Sequence, residues 1–361
     1  MRLQLAIAIL VFAFSATAVV ERVRTPTAKL DDSEVKLGAE LYGRMCAVCH
    51  GANGEGYKAD DAPRIAHPDF LATVTDDYLV RAIANGRSNT TMSAWGRSRG
   101  GPLSPAEVDA VVAFMRTWDK RADRPRLDER KPVGSAARGS VTYLKECRHC
   151  HGVLGQEGPS VHIGGHELLQ SASTGFLRFA LRHGRPGTAM PAFGDKLGQQ
   201  GMDDILTLLE SWKRSGRPIT PPHGEHTPPA PPLPLGPVPL NPDGPDPVGF
   251  AKHPATTKID IIKRELDRNA RMVLMDARTP SDYLREHITG AVSIPFYDPT
   301  PYFDKLPKDT WLVAYCSCPH AESRTLATKL VDKGFKKVTV LDEGLGVWKR
   351  KKHPTSTGDK P

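Results

Sequence analysis

The 361-residue chain predicts a multidomain protein: two all-α domains followed by an α/β domain with a mostly parallel sheet. Three observations carry that prediction. A pattern of about a hundred residues occurs twice, with Cys46 and Cys147 at equivalent points and helical apolar periods framing each copy. A proline-dense tract follows over residues 217–249. Beyond it, strand-forming and helix-forming runs alternate, as in a sheet whose parallel strands are joined by helical crossovers.

Residues 1–18 come first, with one basic residue, an apolar run and the small-residue triplet Ala16, Thr17, Ala18. They read as an export signal cut after Ala18, or, uncleaved, as a membrane anchor. Either reading puts the rest of the chain outside the cytoplasm, in the periplasm. The net charge of +8 is concentrated late, since residues 251–361 hold 20 Lys and Arg against 14 Asp and Glu. That excess favours anionic partners, yet an exported chain without interleaved basic and aromatic residues does not read as binding nucleic acid.

The two copies span residues 33–120 and 134–216. "TDDYLVRAIANGRSNTTMSAWG" (75–96) aligns with "STGFLRFALRHGRPGTAMPAFG" (173–194), which sets Met92 on Met190 and Ser93 on Pro191. Val108, Val111, Val112 and Met115 recur at helical spacing in the closing helix of the first copy, as do Ile205, Leu208, Leu209 and Trp212 in the second. Ser104 with Glu107 forms a capping box. The linker at about 3.1 Å per residue would reach roughly 90 Å, so the third domain is expected to swing widely. Its two histidines, His223 and His226, are too few to argue for a metal site. In the third domain, residues 256–353, "RMVLMDA", "AVSIP", "WLVAYC" and "KVTVLD" read as strands, and "KIDIIKRELDRNA", "PSDYLREH" and "ESRTLATKLVDKG" as helices.

"CAVCH" (46–50) and "CRHCH" (147–151) carry the spacing of covalent haem attachment: two thiols add to the porphyrin and the adjoining histidine ligates iron. Cys46, Cys49, Cys147 and Cys150 are the attaching residues on this reading, with His50 and His151 as axial ligands of two haem c groups. Both copies thereby resemble class I cytochromes c. The resemblance implies a second axial ligand at Met92 and Met190, and ring nitrogens of the histidines held by the carbonyls of Pro63 and Pro159. It also implies fully coordinated irons that carry electrons and bind no oxygen. His67, His162, His166 and His183 read as surface or core residues.

The remaining thiols, Cys316 and Cys318 in "WLVAYCSCPHAESR", stand where a strand ends and a helix begins. Residues 258–353 resemble a rhodanese domain through Asp276, Arg278, His287, Ile288, Gly290, Ala291 and Pro295, and through "VLDEGLGVW" near the end. The resemblance implies that Cys316 is a nucleophile that carries sulfane sulfur, its thiolate favoured by inward backbone amides and a helix N-terminus. Glu322 stands where the family's common pattern has an arginine, which disfavours thiosulfate. Phosphatases and arsenate reductases on the same fold need an arginine-rich cradle that is missing. Cys318 either attacks a persulfide on Cys316 or belongs to an inert pair. Two functions follow as expectations. One is an exported dihaem electron carrier coupled to sulfur transfer, with a small inorganic sulfur donor or acceptor and another cytochrome or an oxidase as partners. The other is an electron carrier whose third domain is a silent docking or sulfide-sensing module.

Overall fold

A computed structural model describes residues 31–59, 61–121, 123–215, 238–317 and 320–361. The export signal or anchor, the linker through residue 237 and Cys318 lie outside the described residues.

The first domain contains α1 (Asp32–Met45), α2 (Ala47–His50), α3 (Pro68–Thr73), α4 (Asp76–Asn85) and α5 (Pro105–Arg116). The second repeats it with α6 (Ala136–Glu146), α7 (Arg148–His151), α8 (His166–Ser171), α9 (Thr174–His183) and α10 (Gly194–Ser215), the last interrupted at Gly198. Each opening helix crosses its closing helix, α1 on α5 and α6 on α10. Glycine allows the crossing: a Cβ on Gly38 would lie 1.9 Å from the Ala110 carbonyl oxygen, and one on Gly139 would lie 2.2 Å from that of Asp204. The helices start where the sequence supplies caps, including the Ser104–Glu107 capping box at α5. Their apolar stripes, among them Val108, Val111 and Val112, or Ile205, Leu208 and Leu209, are buried.

The third domain has a five-stranded sheet in the order β1 (Thr256–Thr257), β6 (Val338–Leu341), β5 (Trp311–Tyr315), β2 (Met272–Asp276), β4 (Val292–Ser293). All four of its pairings are parallel, as the alternation of strand and helix patterns predicts. Strands β2 and β5 are buried throughout, which explains their unbroken apolar runs. The crossovers include α11 (Ile259–Asp267), α12 (Pro280–Arg285) and α13 (Ala321–Asp332); α14 (Gly344–Arg350) follows β6, and β3 (His287–Ile288) pairs antiparallel with β7 (Thr355–Ser356).

Two expectations are corrected. The end of the proline-rich tract is part of the third domain rather than linker: Leu240 and Met272 exchange backbone hydrogen bonds of 2.7 and 3.3 Å, and the Val248 amide donates to Glu265 at 3.1 Å. An apolar side chain among the prolines supplies the anchor. The third domain is also seated rather than swinging. Ser93 Oγ donates to Asp282 Oδ2 at 2.5 Å, Ser281 Oγ donates to the Ala94 carbonyl at 2.7 Å, and Trp95 packs on Phe296 and Tyr297 with centroids 6.5 and 5.6 Å away.

Beneath the sheet's C-terminal edge lies a buried ion pair. Arg278 donates through Nε and Nη2 to Asp276 at 2.9 and 2.6 Å, Tyr315 Oη donates to the same carboxylate at 2.9 Å, and Arg278 Nη2 also reaches the Glu286 carbonyl at 2.6 Å. Removing one partner strands the other in the core. Asp276→Ala is expected to cost about 3–5 kcal/mol, read as a lower urea midpoint by circular dichroism, with the visible spectrum of the helical half retained.

Candidate functional site

Each C-x-x-C-H segment is a sharp turn of helix set against the helix before it. Cys46 ends α1 and Cys147 ends α6, and the next four residues form α2 and α7, so both cysteines and the histidine face one side. None of Cys46, Cys49, Cys147 and Cys150 is in a disulfide. Burial pushes the Cys46 thiol up to about 12 and that of Cys147 to about 11. Thiols so disposed are poor thiolates, which argues against a reactive redox pair. Among the described residues no group of three or more His, Cys, Asp or Glu is placed to hold a metal ion.

Burial lowers both His50 and His151, so each imidazole is neutral, as iron ligation requires. The Pro63 carbonyl lies 3.1 Å from His50 Nδ1. In the second copy the corresponding acceptor is Val161, at 2.7 Å, and not Pro159 as the resemblance implied. The loop is shorter there, 10 residues from histidine to acceptor against 13, so a different carbonyl comes into reach. Holding Nδ1–H on a carbonyl leaves Nε2 as the nitrogen that could ligate a metal.

Met92 and Met190 sit on matching turns. The Arg87 amide donates to the Met92 carbonyl and the Arg185 amide to the Met190 carbonyl, each at 2.9 Å. The turns need Gly86 and Gly184, at φ +68° and +65°, where a Cβ would lie 2.6 Å from those same carbonyl oxygens. The four motif cysteines, His50, His151, Met92 and Met190 line one apolar cavity of about 1170 Å³. It exceeds an ordinary single-ligand pocket, and it is bounded by both C-x-x-C-H motifs and both aligned methionines. The two halves meet through Tyr78 against Phe176 at 5.4 Å, Phe70 against Phe176 at 6.2 Å, and a hydrogen bond of 2.8 Å between His67 Nε2 and the Pro186 carbonyl. His67 also accepts from the Asp69 amide, so both of its nitrogens are engaged and it is a structural residue. His183 packs on Phe179.

Cys316 follows β5, fully buried, with its Sγ 3.3 Å from Ser323 Oγ and its carbonyl accepting from the Leu345 amide at 2.9 Å. Arg278 Nη1 donates to Ser317 Oγ at 3.3 Å, which ties the loop to the buried ion pair. Ser317, Glu322, Asp342 and Arg350 line the same cavity as the haem-motif residues. Sequence reasoning did not connect these sites, because nothing in either repeat signals a contact almost two hundred residues away. It also missed the pair His320 and Asp342, 2.8 Å apart beside the loop. Only Ser93, in the position that Pro191 holds in the second copy, was a legible trace of the contact. Burial, with the Cys316 sulfur and Asp282 nearby, holds Glu322 well above the ordinary carboxylate range.

The family model described as cytochrome c oxidase, cbb3-type, subunit III, matches residues 33–115 and 134–209, and that of the rhodanese-like domain matches residues 259–351. The cbb3-type oxidase subunit CcoP of an Azospirillum species is 26% identical over 192 residues, covering 48% of this chain and 60% of that protein. The corresponding FixP of Azorhizobium caulinodans is 32% identical over 87 residues, covering 24% of this chain and 28% of that one. The chain thus spans less than two thirds of these oxidase subunits. The thiosulfate sulfurtransferase GlpE of Coxiella burnetii is 34% identical over 97 residues, covering 27% of this chain and 88% of GlpE. A solution structure of a rhodanese-like domain from Anabaena is 25% identical, covering 29% of this chain and 80% of that one with a TM-score of 0.27. The chain therefore joins two cbb3-type cytochrome c domains, which carry covalently bound haem c, to a C-terminal domain that belongs to the rhodanese family.

Proposed function

We propose that the chain is an exported dihaem electron-transfer protein whose C-terminal domain accepts sulfane sulfur on Cys316, so that sulfur handling and electron removal share one polypeptide. Cys46 with Cys49, and Cys147 with Cys150, would attach the two haems, and His50 with Met92, and His151 with Met190, would ligate the irons, a setting in which the bound group would supply one-electron transfer. Periplasmic placement rests on residues 1–18; no helix among the described residues is long and apolar enough to cross a membrane. The electron partner is another cytochrome or an oxidase, in keeping with the oxidase subunits that the cytochrome half resembles.

The observation that carries the sulfur reading is the position of Cys316, between the end of β5 and the start of α13, on a loop that borders the haem cavity. Its thiolate attacks the outer sulfur of a donor R–S–SH, the donor's S–S bond breaks, and Cys316–S–SH and RS⁻ result. Glu322 supplies no positive charge, so the dianion thiosulfate finds less counter-charge at this loop, and a persulfide, neutral or singly charged, is the better donor. The Cys318 thiolate, two residues on, then attacks the outer sulfur, which gives Cys318–S–SH and the Cys316 thiolate, or the inner sulfur, which closes a Cys316–Cys318 disulfide and expels HS⁻. Complete burial of Cys316 favours a second reading, in which the domain is a silent docking module.

Mass spectrometry of the purified holoprotein after exposure to polysulfide separates the two. Cys316 is expected to gain one sulfur atom, Cys316→Ser to abolish loading, and Cys318→Ser to leave loading intact while slowing transfer. Loading of neither thiol establishes the docking module.

Met190→Ala is expected to remove one thioether-to-iron charge-transfer band and lower one reduction potential, by spectroscopy and redox titration. If both sites are unchanged, the axial assignment fails.

Glu322 gives a pH signature. Its folded pKa lies above the ordinary value, so as pH rises past about 4.3 the unfolded chain releases a proton that the folded protein keeps, and stability falls with pH up to the folded value. Glu322→Gln removes that loss. The variant is expected to match the native protein near pH 4 and to exceed its urea midpoint increasingly toward neutrality.

A further inference from the structure

The two haem pockets repeat one sequence pattern yet have different surroundings. In the first copy Ala47, Val48 and Cys49 of α2 are half-buried, with α13 packed against α2; in the second, Arg148, His149 and Cys150 of α7 are exposed. The residue after the methionine differs in the same sense. Ser93 is buried and donates to the buried Asp282 at 2.5 Å, whereas Pro191 is exposed and has no side-chain donor. Ser281 closes the same seam from the other side at the Ala94 carbonyl, and Trp95 completes it against Phe296 and Tyr297. A proline would satisfy the cytochrome turn equally well, as it does after Met190. A hydroxyl at 93 serves the rhodanese-like domain.

We propose that Ser93 and Asp282 form a latch that holds the rhodanese-like domain over the first haem pocket, so that the first haem, and not the second, is the one coupled to the Cys316 site. Ser93 and Asp282 are positioning residues in this device. Asp282 is fixed for the role by its own helix: its amide donates to the Thr279 hydroxyl oxygen that caps α12, and its carboxylate is paired with Arg285. The first pocket is thereby shielded from water by the docked domain. Solvent access is one of the terms that set a haem potential, so docking and the first potential are linked. The inference deepens the sulfur reading and rests on it for its purpose, but its test needs no sulfur.

The experiment uses the full-length holoprotein in three forms. Ser93→Asp brings two carboxylates together in the seam, a juxtaposition that disfavours docking by more than tenfold. Small-angle scattering is expected to report a larger radius of gyration, and redox titration a fall in the first haem potential with the second unchanged, the two being assigned through Met190→Ala. Ser93→Asp combined with Asp282→Ser reverses the donor and acceptor at constant net charge and is expected to restore both the compact radius and the first potential. Ser93→Pro reproduces the second copy's turn, so it is expected to keep the two-haem spectrum while the first potential falls. The latch is overturned if the radius is unchanged in Ser93→Asp, if both potentials move together, or if the reversed pair leaves the first potential low. A latched protein that passes these tests yet loads no sulfur refutes the sulfur reading alone.

Discussion

The helical half of the molecule is arranged around space that its own side chains do not occupy. Interiors otherwise pack as densely as organic crystals, and here the apolar stripes of α1, α4 and α5, and of α6, α9 and α10, converge on a common cavity lined by both methionines and both motif histidines. The cavity wall is therefore part of the core, and the surrounding features shape it. Gly38 and Gly139 bring the framing helices together, Gly86 and Gly184 turn the chain so that a methionine faces inward, and backbone carbonyls orient the imidazoles. Because the cavity is continuous between the copies, the aromatic contacts of Tyr78, Phe70 and Phe176 set the relation of one haem site to the other as well as the packing of the domains.

The C-terminal domain obeys a different constraint, the satisfaction of buried charge. Asp276 and Arg278 are both in the core, and the pair is acceptable there because Tyr315 and the Glu286 carbonyl complete its hydrogen bonds. The same arginine reaches Ser317, so the network that stabilises the sheet edge also fixes the loop after Cys316. Glu322 breaks the pattern. Burial beside a cysteine sulfur holds its carboxyl well above the ordinary carboxylate range, and it brings no positive charge to the loop after Cys316. Ser93 breaks a pattern too, since it replaces a proline at a cytochrome turn. Departures from a local rule without local benefit point to a requirement elsewhere in the fold, and both residues lie at the boundary between the helical half and the C-terminal domain.

The sequence by itself determined the class of each domain, the two haem-attachment motifs, the methionines aligned across the repeat, and the strand end that carries Cys316. Each of these is written in neighbouring residues: a period of 3.6, a buried apolar run, a C-x-x-C-H spacing, or a capping box such as Ser104 with Glu107. Fixed local geometry converts such patterns into structure with little help from the rest of the chain. Short strands such as β1, β3 and β7 were not legible, because two residues carry no period and their pairing depends on partners far along the chain. Leu240 lay hidden in a proline-rich tract for the same reason, as did the acceptor for His151, which depends on how a loop closes. Only the tertiary structure decided that the two haem sites share a cavity and that the Cys316 loop borders it. It also decided that Ser93 and Asp282, 189 residues apart, meet. Docking of one folded domain on another depends on surface shape and on single donor and acceptor pairs, and neither leaves a periodic trace in the chain.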